Sequence, residues 1–312
     1  MKVLVTGVNG QLGHDVMNEL EHRGIEGIGC DITDVYAGVA DGSAVCNMPF
    51  VQLDITNEES VHATIQDIRP DVLIHCAAWT AVDAAEETEN QEKVRRINVD
   101  GTQYLANTCK VIGAKMVYIS TDYVFDGQGE RPWHPDDRNY APLNVYGQSK
   151  LDGELAVSGT LDRYFIVRIA WVFGLSGNNF IKTMLRVGET HDKVRVVNDQ
   201  IGTPTYTKDL ARLLVDMVGT EQYGYYHATN SEVAPNGYIS WFDFAKEIYR
   251  QAGMRTEVEP VTTEEYGLSK AARPFNSRLD KSKLAEAGFS ALPDWKEALR
   301  RYLRELGVGE SA

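Results

Sequence analysis

The sequence predicts an α/β protein built on a doubly wound parallel sheet, with a smaller lobe at its C-terminal end. Three observations lead there. The first residues pass from a short apolar run, residues 3–5, through Gly7, Gly10 and Gly13 into an amphipathic segment, residues 11–22. Strand-like and helix-like segments then alternate as far as residue 169, as they do where helices cover both faces of a parallel sheet. Beyond residue 170 the alternation weakens, and 312 residues exceed what one core ordinarily needs.

The three glycines let the chain turn tightly and approach a pyrophosphate at the positive end of the following helix. Asp31 closes the next apolar run, residues 25–30. Strand, glycines, helix, strand and acid, in that order, supply what a dinucleotide's ribose and phosphates require. Residues 1–170 are therefore expected to form a Rossmann dinucleotide-binding domain, to which the chain returns at about 195–230. Residues 171–312 are expected to be mainly a substrate-binding lobe.

Residues 32–49 show little periodicity and read as a surface insertion. Residues 50–53 read as a short strand ending at Asp54, and 57–68 as a helix capped by Thr56 or Asn57. A buried strand follows at 72–76, then a helix at 89–112 that Gly113 ends. Residues 115–120 read as a strand, 126–142 as a loop rich in Pro, Asp and Gly, 146–157 as a helix and 164–169 as a strand. Later, 178–187, 207–218, 241–252 and 295–306 have helical periodicity, and 224–228 reads as a strand.

A formal net charge of -14 excludes a nucleic-acid backbone or an anionic membrane as the natural partner. No apolar stretch approaches the roughly 20 residues that span a bilayer, and Met1 leads into the first strand without a leader pattern. Cys30, Cys46, Cys76 and Cys109 lie far apart with no Cys-x-x-Cys, so reduced thiols in a cytoplasmic protein are expected. The histidines form no metal-binding pattern. Glu86, Glu87, Glu89 and Glu92 read as a solvated helix face.

Tyr-x-x-x-Lys puts a phenol and an ammonium on one helix face, and the ammonium favours phenolate. Two copies occur, Tyr146/Lys150 and Tyr266/Lys270. Only the first follows a predicted sheet strand that ends in a hydroxyl, Thr121. The second sits in an irregular segment beside Gly267, with no strand before it, and reads as surface chance. His75, Cys76, Ala77, Ala78, Trp79 and Thr80 end the strand at 72–76, at the carboxyl edge where open sheets bind ligands. Small side chains there admit a nicotinamide ribose, although Ala77 and Ala78 also suit plain packing.

The spacing Thr6-Gly7-Val8-Asn9-Gly10-Gln11-Leu12-Gly13 resembles the extended short-chain dehydrogenase/reductase superfamily. Further blocks are Ser120-Thr121-Asp122-Tyr123, Tyr146-Gly147-Gln148-Ser149-Lys150, Arg168-Ile169-Ala170-Trp171 and Arg273-Pro274-Phe275-Asn276-Ser277, with residues 77–86 and 197–205. Together they resemble the dTDP-4-dehydrorhamnose reductase family over nearly the whole chain. The resemblance implies reduction of a 4-keto nucleotide sugar by NADH or NADPH. Tyr146 would then be the proton donor, with Lys150 and Thr121 completing the triad. Gly10, Gln11 and Leu12 would meet the pyrophosphate, Asp31 the adenosine ribose, and Asp54 with Ile55 the adenine. Ala78, Trp79 and Thr80 would flank the nicotinamide half, while Thr121, Asp122 and Trp171 would contact the sugar.

Asp31, with no lysine or arginine between residues 34 and 49, favours NADH over NADPH. Some family members dimerise through Mg²⁺ held by glutamates, one of them just after the glycine loop. Asp15, a shorter acid, stands there, which leaves the metal and the choice between monomer and homodimer open. The same triad serves epimerases and other ketoreductases of nucleotide sugars, and a regulatory subunit of S-adenosylmethionine synthase shares the resemblance without the activity.

Overall fold

The structure is a computed structural model that describes residues 1–37, 46–231 and 237–309. The chain begins with β1 (Lys2–Thr6), α1 (Gln11–His22), β2 (Glu26–Asp31), β3 (Phe50–Gln52), α2 (Glu58–Ile68) and β4 (Val72–His75). Asn57, rather than Thr56, caps α2, its side chain accepting from the Ser60 amide. The stretch expected as one helix over 89–112 is more elaborate. After the short α3 (Val82–Ala85), it comprises α4 (Thr88–Arg95), a widened π turn (Arg96–Asp100) and α5 (Gly101–Ile112). Gly113 ends α5 in the left-handed conformation, as expected. Then come β5 (Lys115–Thr121), α6 (Val145–Thr160) and β6 (Tyr164–Ile169).

The later chain holds β7 (Val172–Phe173), α7 (Phe180–Gly188), β8 (Lys193–Val197), β9 (Ile201–Gly202), β10 (Thr205–Tyr206), α8 (Thr207–Val218) and β11 (Gly224–His227). It closes with β12 (Ile239–Ser240), α9 (Trp241–Ala252), β13 (Glu257–Val261), α10 (Thr263–Tyr266), α11 (Ser282–Glu286) and α12 (Trp295–Glu305). α7 starts two residues later than its periodicity suggests, because Asn179 caps it by accepting from the Lys182 amide.

Seven strands make the main sheet in the order β11-β6-β5-β4-β1-β2-β3. Every neighbouring pair is parallel. Alternate residues of its central strands face opposite cores. Val3, Val5, Val72, Ile74 and Val117 pack under α1 and α8, whereas Leu4, Leu73, Met116 and Tyr118 pack under α2 and α5. This two-sided burial explains why the strands read as unbroken apolar runs. The expected doubly wound α/β sheet is present.

A further core joins α7, α9 and α12 through Ile181, Leu185, Phe244, Ile248, Leu299 and Leu303. β8 pairs with β13 outside the main sheet. α8 and β11 then come back to it, α8 lying along α1 and β11 pairing with β6. Of the surface insertion expected at 32–49, residues 38–45 lie outside the described residues. Its ends pack inward, Tyr36 stacking on Phe50 and Cys46 being buried. All four cysteines are free. Among the described residues, no helix is long and apolar enough to cross a membrane.

Candidate active site

The turn from β1 to α1 is shaped by close approach. Gly7 has φ +71, and a Cβ there would come within 2.6 Å of the Ala77 amide nitrogen. A Cβ on Gly13 would overlap the Gly7 carbonyl oxygen. Gly10 is the N-cap of α1, and no side chain caps the helix, so its first amides remain available to an anion. In front of them a cavity of about 450 Å³ is lined by Gly7, Gly10, Asp31, Asp54, Ile55 and Ala77, among others. Backbone amides of Asn9 and Ile32 hold the two oxygens of Asp31 at 2.9 and 2.8 Å. This glycine-walled cradle with a fixed acid at its rim fits a dinucleotide.

The other expected contacts divide. Ala78 lines the cavity. Asp54 turns its Oδ1 inward to accept from the Thr56 amide and hydroxyl, at 2.9 and 2.8 Å. Leu12 is 8% exposed and packs into the core, which leaves only its backbone for a phosphate. Gln11 accepts a hydrogen bond from Asn179 at 3.1 Å.

Tyr146 and Lys150 occupy the first turns of α6, which Asn144 caps by accepting from the Gly147 amide at 2.7 Å. Thr121 ends β5, donates to Asp122 Oδ1 at 3.0 Å and hydrogen-bonds Tyr146. Burial pushes the Tyr146 phenol well up from its ordinary value; Asp122 and Tyr123 push the same way and Thr121 opposes them. Burial also lifts the Asp122 carboxyl to about 6, against hydrogen bonds from Ser277 and Thr121. The Lys150 ammonium lies 4.1 Å from the Tyr118 ring centre, and burial pulls it down to about 7. Lys150 is not among the groups that move the Tyr146 phenol here, whereas the sequence leads one to expect it to draw the phenol towards phenolate. Burial is the largest influence on the Tyr146 phenol, Asp122 adds to it, and both favour the protonated form.

Trp79 is held from a position the sequence did not flag. Asn98, in the π turn, accepts from the Trp79 amide at 2.8 Å and donates to its carbonyl at 3.1 Å. Asn98 also donates to Ser149 at 2.9 Å, and Ser149 donates to the Tyr146 carbonyl at 2.8 Å. One buried amide thereby ties the loop carrying Ala77, Ala78, Trp79 and Thr80 to the helix carrying Tyr146. His75 is equally structural: it meets Thr6 at 2.7 Å and Thr102 at 3.1 Å, and burial lowers it to about 3.

A second cavity, about 240 Å³, is lined by Tyr123, Phe180, Arg195, Gln200, Trp241 and Arg273, among others. Tyr123 meets Tyr146 edge to face at 5.6 Å. Trp171 stacks on Trp241 at 3.9 Å and holds φ +51, a conformation rare for so large a side chain. Missing side-chain bulk at Gly202, where a Cβ would stand 3.1 Å from the indole, makes room for it.

Two expectations need revision here. Glu86 and Glu87 are not part of a free solvated face: Glu86 accepts from the Val145 amide at 2.8 Å, and Glu87 pairs with Lys270 at 2.7 Å. A strand, β13, does precede Tyr266, and Tyr266 borders the second cavity. Tyr266 nevertheless ends the single turn α10, and Lys270 lies beyond Gly267, so the pair shares no helix face. At Asp15, where the sequence leaves a bridging Mg²⁺ open, the carboxylate is buried. That side chain is 3% exposed and hydrogen-bonded to Thr207. Among the described residues, no group of three or more His, Cys, Asp or Glu is placed to hold a metal.

The model of the RmlD substrate binding domain family matches residues 1–308. The spore coat polysaccharide biosynthesis protein SpsK of Bacillus subtilis is 40% identical over 304 residues, covering 97% of each chain. The dTDP-4-dehydrorhamnose reductase of Streptomyces griseus is 38% identical, over 95% of this chain and 91% of that one. A crystal structure of dTDP-4-dehydrorhamnose reductase from Bacillus anthracis in complex with NADP superposes with a TM-score of 0.84. It shares 40% identity and covers 97% of this chain and 99% of that chain.

Proposed function

The chain belongs to the RmlD substrate binding domain family, and on that premise we propose that it reduces dTDP-4-dehydro-L-rhamnose to dTDP-L-rhamnose. A nicotinamide dinucleotide, when bound, supplies the hydride. Tyr146 delivers its phenolic proton to the substrate's C4 oxygen, and Thr121 holds that oxygen by a hydrogen bond. The buried phenol's grip on its proton keeps Tyr146 loaded at neutral pH. Lys150, one turn along the same helix, offsets the negative charge that proton delivery leaves on Tyr146.

The observation that supports this reading best is the placement of the Thr121–Tyr146–Lys150 group between two cavities. Lys150 lies within electrostatic reach of Cys76, which lines the dinucleotide cradle, and Tyr146 meets Tyr123 of the second cavity edge to face. That second cavity suits a pyrimidine nucleoside diphosphate, with Trp241 and Phe180 for the base and Arg195 and Arg273 for the phosphates. Trp171 and Asp122 are left for the sugar. NADH is the preferred cofactor, because Asp31 takes the ribose hydroxyls and repels a 2′-phosphate. Four free thiols suit a reducing compartment, and we place the enzyme in the cytoplasm.

The test is to incubate purified protein with dTDP-4-dehydro-L-rhamnose, follow NADH absorbance and identify the sugar formed. Stoichiometric loss of NADH with appearance of dTDP-L-rhamnose is expected. An isomerised ketone with the cofactor unchanged would make the protein an epimerase instead.

A further inference from the structure

We propose that Lys93 and Arg96 form the binding site for the 2′-phosphate of NADPH, giving a cavity bordered by Asp31 a second, cationic side. The inference rests on the nicotinamide-cofactor reading and goes beyond it. Both residues line the larger cavity together with Asp31 and Ile32. They lie three positions apart where α4 runs into the π turn, so they share a face. Arg95, between them, is paired with Asp100 at 3.3 Å.

Their lack of an ion-pair partner among the described residues is the telling feature. The chain carries 45 acidic side chains against 31 Lys and Arg. Even so, the Lys93 side chain has no hydrogen bond or ion pair among the described residues. The hydrogen bond recorded for the Arg96 side chain is a long one, 3.5 Å, to the Thr56 hydroxyl. Both are exposed. Unpaired cations on a cavity wall, in a protein with surplus carboxylates, point to an anionic ligand.

Register decides which anion. Thr56 is fixed to Asp54 just beyond β3, and β3 lies beside β2 with Gln52 opposite Asp31. The Leu53 amide donates to the Asp31 carbonyl at 2.8 Å. Arg96 therefore reaches the neighbouring strand end to the one bearing the ribose acid. The pyrophosphate has its own donors at the start of α1. A phosphate on the adenosine ribose, however, finds no Lys or Arg in the sequence from residue 32 to residue 49. Lys93 and Arg96 supply that counter-charge from across the cavity and make NADPH usable despite Asp31.

Binding, read without turnover, tests this. NADPH, NADH, 2′,5′-ADP and 5′-AMP are titrated calorimetrically against the parent, the double variant Lys93→Gln/Arg96→Gln and the control Arg95→Gln. The double variant should weaken NADPH and 2′,5′-ADP about tenfold or more, the scale of losing charge-assisted contacts. NADH and 5′-AMP should change less than about twofold, and the control should change neither pair. Added salt should weaken NADPH more than NADH in the parent but not in the double variant. Equal losses for NADPH and NADH, or no loss for either, would overturn the proposal. A parent that binds neither dinucleotide would overturn the cofactor reading, and this proposal with it.

Discussion

Tyr146 keeps its proton because burial and Asp122 both oppose a phenolate. Tyr146→Phe should lower kcat by about 10²-fold or more, the usual worth of general acid catalysis, and leave the NADH Kd nearly unchanged. A loss below tenfold would remove Tyr146 from that role. Tyr266→Phe should leave kcat at saturating substrate within about twofold, since Tyr266 borders the second cavity, where it can change KM, but stands apart from the triad. Lys150 makes a prediction of a different kind. Its pKa is lowered from 10.5 to about 7 by burial, so across that window the unfolded chain binds a proton that the folded protein lacks. The stability tied to this group is complete above 10.5 and is lost as pH falls through 7. Without cofactor, Lys150→Met should therefore melt higher than the parent at pH 6, with a gap that narrows by up to ~1.4 kcal/mol per pH unit between pH 7 and 10. A gap independent of pH would show that Lys150 is not held in this way.

At the scale of elements, α6 is seated on β5 by what Gly153 lacks. A Cβ there would overlap the Tyr118 hydroxyl and stand 2.8 Å from the Asn98 carbonyl. Gly153→Ala should thus cost about 1–3 kcal/mol, as overpacking does, and lower Tm; an unchanged Tm would mean that the helix can shift freely. Elements defined by their own residues were legible in the sequence. α1, α8 and α9 run over the residues their periodicity marks, and Thr121, Tyr146 and Lys150 stood out through strand-end position and spacing. Elements made by distant partners were not. β7, β9, β10 and β12 have two residues each and exist only through their pairing. β13 contains Pro260, which argues against a strand, and pairs with β8 some sixty residues earlier. Asn98 was hidden for the same reason, since an asparagine inside a helical run gives no sign of the loop it will hold.

Across the whole molecule, the late chain reaches back to complete what the early chain began. Arg273 pairs with Asp83 at 2.6 Å and donates to the Tyr123 hydroxyl at 3.1 Å, and Ser277 bonds Asp122. At another seam Asp15 of α1 is buried against Thr207, and burial raises its pKa from 3.8 to about 7. That raised value favours folding fully below 3.8, and the benefit is lost as pH climbs through 7. Asp15→Asn should accordingly flatten the fall in stability between pH 4 and 7, measured by urea unfolding; parallel curves for variant and parent would exclude Asp15 as the source. The return of α8 and β11 to the sheet also sets a schedule for biosynthesis. Val16, Met17 and Leu20 of α1 are wholly buried, in the same core as Leu210, Leu214 and Met217 of α8. A nascent chain that has emerged only as far as β6 leaves that face of α1, and one edge of the sheet, uncovered. At ~5–20 residues per second, the stretch from Ile169 to His227 takes roughly 3–12 s to synthesise. During those seconds the half-made protein is sticky, and a ribosome that pauses there prolongs the interval in which it needs a chaperone.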